Sequence, residues 1–136
     1  PLIIIDIGTA ITFDVVDENS VYQGGAIIPG IGISSEALFL KTAKLPRVEL
    51  YKPERIVAKN TMDNIRVGMV IGYIGLIEKL IDEIVKEMNF DVSKLKVVAT
   101  GGYSSLITKD IDKINIIDKK LTLDGMLEIY KMKKGL

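Results

Sequence analysis

The chain opens with an apolar run that ends at a carboxylate and a glycine, and this feature limits its possible folds most. Residues 3–17 read IIIDIGTAITFDVVD. The continuous apolar run over residues 2–5, rich in β-branched side chains, is typical of a strand buried on both faces. A strand that only packs needs neither Asp6 nor Gly8. The stretch therefore predicts two strands joined by a functional turn.

The rest of the chain predicts alternating strands and helices. The predicted strands are residues 2–5, 10–17, 21–29, 96–100 and 114–117, with a further edge strand over 47–50. The predicted helices are residues 32–45, 61–88, 103–107 and 123–133. Capping residues are predicted at Ser34 or Ser35, at Asn60 and at Thr122. The fold class is α/β, with a mixed sheet that starts as a β-meander and carries helices on its faces.

The composition limits the partners and the kinds of site that we expect for this chain. The 136 residues suffice for one domain with a real core. Lys plus Arg and Asp plus Glu number 18 each, so we expect neither a nucleic acid nor a membrane partner. The chain has no Cys and no His, which excludes disulfides, thiolate or His-ligated zinc, and a Ser-His-Asp triad. A reducing, cytoplasmic location fits this composition.

The first candidate site is the turn from Asp6 to Thr9. Gly8 is expected to turn with positive φ and to let a phosphate approach closely. Backbone N–H groups and the Thr9 hydroxyl can bind phosphate oxygens, and Asp6 can hold a cation. The alternative is an ordinary β-turn in which Asp6 accepts turn hydrogen bonds. These residues alone do not separate the two interpretations.

A second glycine turn follows a later strand. Gly101 and Gly102 come after the buried-type run KVVAT and open a helix. Paired glycines at such a turn allow a flat ligand, such as an adenine, to lie against the backbone. The alternative is a tight turn that needs glycine only for its shape. Together the two turns describe one half of an actin-like nucleotide-binding fold.

Three further features carry weaker signals. Gly24 and Gly25 lie inside a strand, where glycine marks a bulge or a close ligand approach. Asp14 and Asp17 are either site acids or ordinary edge and turn residues. Small residues also recur on one face of the long helix, where they allow an internal helix contact or a dimer interface: Gly68, Gly72 and Gly75.

In order and spacing, these motifs resemble the C-terminal half of type III pantothenate kinases. That family belongs to the superfamily of acetate and sugar kinases, Hsp70 chaperones and actin. The matching stretches are DIGTAITFDVVD, GGAIIPGI followed by SSEALFLKTAKLP, KNTMDNIRVGMVIGYIG, VVATGGYSSLI and LTLDGMLEIY. They cover nearly the whole chain. The resemblance implies one actin-like, ribonuclease H-like domain over residues 1–136.

The resemblance also implies an activity and its site. The activity is ATP-dependent phosphorylation of pantothenate, the first step of coenzyme A biosynthesis, with Mg²⁺ accompanying the nucleotide. Asp6 resembles the ligand of a monovalent cation, K⁺ or NH₄⁺, and Thr61 resembles a pantothenate contact. The ATP contacts implied are Gly8, Thr9, Gly101 and Gly102. A homodimer through the region of Gly68, Gly72 and Gly75 is also expected.

The family's first phosphate turn and its general base do not occur in this sequence. We expect both in an N-terminal domain upstream of Pro1, and we expect this chain alone to be inactive because half a cleft cannot position the reactants. Three other interpretations stay open: a non-catalytic regulatory relative, a superfamily kinase with another substrate, and a helix-mediated dimerisation module.

Overall fold

A computed structural model describes residues 1–135 and contains a five-stranded mixed sheet. The strands are β1 (Leu2–Ile7), β2 (Ala10–Val16), β3 (Tyr22–Pro29), β4 (Lys96–Thr100) and β5 (Ile116–Ile117). Their spatial order is β3-β2-β1-β4-β5. Neighbours in the β1–β2–β3 meander pair antiparallel, whereas β4 pairs parallel with both β1 and β5. The predicted α/β class, meander and mixed pairing are confirmed.

Strands β1 and β2 alternate between a core face and an outer face. Ile3, Ile5 and Ile7 of β1 are fully buried, whereas their neighbours along the strand are half-buried. The prediction that β1 is buried on both faces was therefore wrong. An apolar run cannot by itself distinguish a strand covered on both faces from one that is covered on only one.

The edge strand β3 contains the expected bulge. The register between β2 and β3 shifts between Val15 and Val16, opposite Gly24, whose φ is +111°. A side chain at Gly25 would collide with the backbone carbonyl of Phe13. The structure therefore explains both glycines without a ligand: Gly24 has positive φ at the bulge, and Gly25 lies close to the neighbouring strand.

Five α-helices accompany the sheet within residues 1–135. They are α1 (Ile31–Lys41), α2 (Thr61–Arg66), α3 (Gly72–Met88), α4 (Ser104–Ile107) and α5 (Leu121–Lys134). A π-helical turn, Val67–Ile71, joins α2 to α3, and a short 3₁₀ turn, Thr108–Asp110, follows α4. The predicted edge strand over 47–50 does not form: these residues have no regular secondary structure.

One of the predicted helix caps is confirmed and the others are wrong. The Asn60 side chain accepts a 2.9 Å hydrogen bond from the Asp63 backbone N–H, as expected for a cap. Ser34 and Ser35 lie inside α1, which begins after Gly30. Thr122 lies inside α5, which begins after Lys120.

The hydrophobic core lies between one sheet face and the helices. Its sheet side comes from alternate positions of β1 and β2 and from β4: Ile3, Ile5, Ile7, Ile11, Phe13 and Val97. Its helix side comes mainly from α3: Tyr73, Ile74, Ile77 and Ile81. Because Ile77 is completely buried, truncating it to Ala would cost about 2–5 kcal/mol.

Helix α5 is the element least attached to this core. None of its residues is buried, although it carries large apolar side chains such as Leu127 and Tyr130. The described helices include none that is both long enough and apolar enough to span a bilayer.

Candidate functional site

The site is built around Asp6, the penultimate residue of β1. Asp6 lies on the half-buried outer face of the sheet, because Ile5 and Ile7 on either side of it face the core. Its register partners are Thr12 on β2 and Thr100 on β4. The sheet therefore places a carboxylate between two threonines on three adjacent strands.

The first predicted turn, at Gly8 and Thr9, comes directly after β1 in the chain. The Gly8 N–H donates to the Ala10 carbonyl at 3.0 Å, and Thr9 is exposed. Gly8 does not have positive φ, so that expectation was wrong. A Cβ at Gly8 would lie 3.4 Å from Asp6 Oδ1, an ordinary contact. Glycine here is not sterically required, and its effect is to leave the space beside Asp6 open.

The second predicted turn reaches the same carboxylate from β4. Gly101 has φ +94°, and a Cβ there would lie 2.5 Å from Asp6 Oδ1 and 2.6 Å from the Ile7 carbonyl oxygen. The Tyr103 N–H donates to that Ile7 carbonyl at 3.0 Å and fastens the turn to the end of β1. The structure thus brings Asp6, Gly8, Thr9 and Gly101 together at one edge of the sheet, with Gly102 adjoining.

A third turn, at Pro29-Gly30, lies at the same end of the sheet and was not predicted as part of the site. The Gly30 N–H donates to the Thr9 carbonyl at 3.1 Å, and a side chain at Gly30 would collide with the carbonyls of the Gly8–Thr9 turn. The Tyr103 ring and hydroxyl lie against Gly32 at the start of α1. The sequence signals were the Pro29-Gly30 pair and the Tyr after Gly101-Gly102.

A hydrogen-bonded clamp holds this third turn onto the long helix. The Tyr73 hydroxyl, on α3, donates to the Pro29 carbonyl at 2.9 Å and shares a 2.5 Å hydrogen bond with the Ser34 hydroxyl. The edge that carries the turns is therefore tied to the core on the helix side. Through the Gly30–Thr9 hydrogen bond, the same contacts connect α3 to the turn that follows Asp6.

This arrangement can receive an anion and a cation side by side. The turns lie at the carboxyl ends of the parallel strands β1 and β4, where open α/β sheets place ligands. Exposed backbone and the Thr9 hydroxyl supply hydrogen-bond donors, whereas Asp6 supplies negative charge. Within residues 1–135 no three acidic side chains gather to hold a metal ion. Asp6 is thus a single carboxylate beside hydroxyl groups.

Thr61 lies outside this group. Tyr73 is at the site edge, and Thr61 precedes it by twelve residues, about 18 Å of helix. A cavity of about 350 Å³ is lined by Asn60, the residue before Thr61, and by other residues between Tyr51 and Asp63 that include Glu54, Arg55 and Lys59.

Arg66 anchors the wall of that cavity. Its guanidinium is buried, donates to Asp63 at 2.6 Å and to the Glu49 carbonyl at 2.8 Å, and lies 4.1 Å from the centre of the Tyr51 ring. Hydrogen bonds from Asn60 and then from Arg66 lower the pKa of Asp63. This contact set holds the irregular segment before α2 against the helix.

The two predicted aspartates, Asp14 and Asp17, lie in different surroundings. Asp17 is a turn residue: its carboxylate accepts hydrogen bonds from the Asn19 and Val21 N–H groups, and the Val21 bond is the main cause of its lowered pKa. Asp14 lies on the outer face of β2, two positions beyond Thr12.

Gly68, Gly72 and Gly75 are exposed, and a Cβ at any of them would meet no atom within 4 Å. No contact inside the described part of the chain therefore accounts for them.

A family model and two curated relatives name the same family. A family model described as type III pantothenate kinase matches residues 1–83. A type III pantothenate kinase from Finegoldia magna is 50% identical over 99% of this chain and 52% of its own length. One from Persephonella marina is 48% identical over 96% of this chain and 50% of its own.

A solved structure shares the fold. It is a Campylobacter jejuni protein described as belonging to the Baf family of transcriptional activators. It superposes with a TM-score of 0.68 at 27% identity, over 98% of this chain and 59% of that one. The present chain spans about half the length of the curated relatives that it matches. By its sequence, the chain belongs to the type III pantothenate kinase family.

Proposed function

We propose that this chain is the C-terminal half of an enzyme that transfers the γ-phosphate of ATP to pantothenate, the first step of coenzyme A biosynthesis. The observation that carries the proposal is the convergence of the Asp6–Thr9 turn and the Gly101–Gly102 turn on one carboxylate. The family assignment supports the choice of phosphoryl acceptor. Binding a nucleotide for phosphoryl transfer requires backbone that can approach the phosphates closely and cations near them.

Gly8 and Thr9 are proposed to contact the ATP phosphates, and Gly101 and Gly102 the adenosine side. The exposed position of Thr9 and the open space at Gly102 support these roles. Asp6 is proposed to hold a monovalent cation, K⁺ or NH₄⁺. A single carboxylate beside hydroxyl groups fits such an ion, and Mg²⁺ would arrive with the nucleotide. When bound, the cations neutralise charge on the phosphates.

Thr61 is proposed to contact pantothenate. The cavity that adjoins it in the chain is lined by two cationic side chains, Arg55 and Lys59, as well as by Glu54 and Asp63, and the cationic pair supports a role with a carboxylate-bearing substrate. This contact would be made where another domain or subunit completes the cleft.

We infer that residues 1–136 form one actin-like domain and that an N-terminal partner domain supplies the first phosphate turn and the general base. The relatives' length, about twice that of this chain, supports this division. In-line phosphoryl transfer needs both walls of the cleft. The isolated chain is accordingly expected to make no phosphopantothenate, and detectable product from it would refute this division.

The exposed glycines of the long helix are proposed to form a homodimer contact. Each glycine costs about 1 kcal/mol in a helix interior, and within residues 1–135 no neighbour offsets that cost at Gly68, Gly72 or Gly75. Close packing against a second helix would. The cytoplasmic location expected from the composition stays a prediction.

A second candidate function is a non-catalytic regulatory role. The likeness to a protein described as a Baf family transcriptional activator, which covers 98% of this chain, favours it.

The decisive experiment follows ADP release by the full-length gene product, with ATP and with or without pantothenate, in KCl and in NaCl. Pantothenate-dependent release that rises with K⁺ supports the kinase and the role of Asp6. No release in either salt from folded protein would favour the regulatory role. Release with a different acceptor would identify another superfamily kinase.

A further inference from the structure

A row of polar side chains crosses the outer face of the sheet next to Asp6. Thr12 is the cross-strand partner of Asp6, and Asp14 follows two positions later on the same face of β2. Such directly opposed side chains have Cβ atoms about 4.5–5.5 Å apart. The neighbouring core-facing positions, Ile11 and Phe13, are fully buried, so the alternation of β2 fixes the row on the outer face.

The hydrogen bonds in this row have a definite direction. Asp14 Oδ2 lies 3.3 Å from the Thr12 hydroxyl, and Asp14 Oδ1 lies 3.2 Å from the Tyr22 hydroxyl on β3. An ionised carboxylate only accepts hydrogen bonds. Both hydroxyl protons are therefore directed at Asp14. In this arrangement the single proton of Thr12 is directed at Asp14.

The committed proton decides what Thr12 can bind. A hydroxyl whose proton is already donated presents only lone pairs to its other neighbours. In that orientation it does not donate to a phosphate oxygen, but it can contact a cation, since hard cations take oxygen ligands. The Asp14 carboxylate adds negative charge on the same face. The ligand class that suits Thr12 is therefore a cation and not an anion.

We propose that Thr12 is a second oxygen ligand of the monovalent cation assigned above to Asp6, and that Asp14, held by Tyr22, is the positioning residue that orients the Thr12 hydroxyl. This inference rests on the proposed function. The hydrogen bond to Asp14 also raises the pKa of Tyr22, so the phenol stays protonated as a donor at neutral pH.

The test measures cation binding without turnover. The full-length gene product is melted in choline chloride with increasing KCl, and Tl⁺, which substitutes for K⁺, is titrated by NMR. Ligand binding to the folded state raises its stability with concentration. Thr12→Val removes the oxygen at nearly constant shape, and Thr12→Ser restores it. Thr122→Val, at an exposed position on α5, is the matched control.

We expect Thr12→Val to weaken the apparent K⁺ affinity about tenfold, the size of one lost contact to a charged group. Thr12→Ser and Thr122→Val should keep wild-type affinity. Tyr22→Phe, which removes only the hydroxyl, should weaken it by a smaller factor. Melting temperature in choline chloride alone reports any general loss of stability, which a purely structural role would produce in every salt.

The outcomes separate the inference from the function on which it rests. If Thr12→Val binds K⁺ as well as wild type while Asp6→Asn does not, Thr12 is not a ligand and the inference fails. If wild type shows no K⁺ effect but releases ADP with pantothenate, the inference fails and the kinase stands. If no ADP is released, yet K⁺ stabilises wild type and not Thr12→Val, the cation site stands without the kinase.

Discussion

Replacing Gly101 by Ala tests the geometry of the site most directly. A methyl group there would be forced into a backbone with φ +94° and would lie 2.6 Å from the Ile7 carbonyl oxygen and 2.5 Å from Asp6 Oδ1. The conformational strain alone costs about 1–2 kcal/mol. Because the Ile7 carbonyl is also bound by the Tyr103 N–H, it cannot retreat without losing that hydrogen bond. We expect a total loss of about 2–4 kcal/mol in the free energy of unfolding.

Gly102→Ala is the matched control one residue away. Gly102 does not have positive φ, and a Cβ there would meet no atom within 4 Å. Its substitution should leave stability unchanged or raise it by up to about 1 kcal/mol, because Ala has less freedom in the unfolded chain. If the turn faces adenosine, however, the added methyl group should raise the KM for ATP.

Urea unfolding and steady-state kinetics of the full-length gene product measure both effects. We expect a stability loss for Gly101→Ala only, and for Gly102→Ala a higher KM for ATP without a loss of stability. Equal destabilisation by the two substitutions would refute the assignment of the steric constraint to Gly101. An unchanged KM in Gly102→Ala would remove the adenosine role.

Further predictions concern separate parts of the protein. Asp6→Asn should abolish K⁺ stimulation of ADP release, which is measured by comparing KCl with NaCl. Thr61→Ala should raise the KM for pantothenate several-fold and leave the KM for ATP unchanged; an equal rise in both would contradict a substrate-specific contact. Gly72→Leu should break the dimer by overpacking, as read by light scattering, and a mutant that stays dimeric would exclude that interface. Ultraviolet titration should find the pKa of Tyr22 above that of ordinary tyrosine, and Asp14→Asn should lower it. Because the folded-state pKa is raised, this contribution to stability is complete below about pH 10 and is lost as pH rises through the folded pKa.

The regular elements were predictable where the signal was local. The run KVVAT became β4 at the predicted bounds, and Asn60 caps the long helix as expected. The predicted caps of α1 failed because its start is set by Gly30, whose N–H is bound to the Thr9 carbonyl in another turn. The segment 47–50 has an apolar alternation typical of a strand, but the buried Arg66 binds the Glu49 carbonyl from α2.

The sequence by itself determined the meander, the mixed α/β class, the long helix and the turns that carry glycine, because strand periodicity, caps and glycine act over a few neighbouring residues. Only the tertiary structure decided which glycine is obligatory. The parallel pairing of β1 with β4 brings Gly101 against Asp6 and Ile7, whereas Gly8 has room for a Cβ. It also decided that Gly68, Gly72 and Gly75 face open space, and that Thr12 stands beside Asp6. These contacts join residues that are distant in sequence, so they exist only once the sheet has formed.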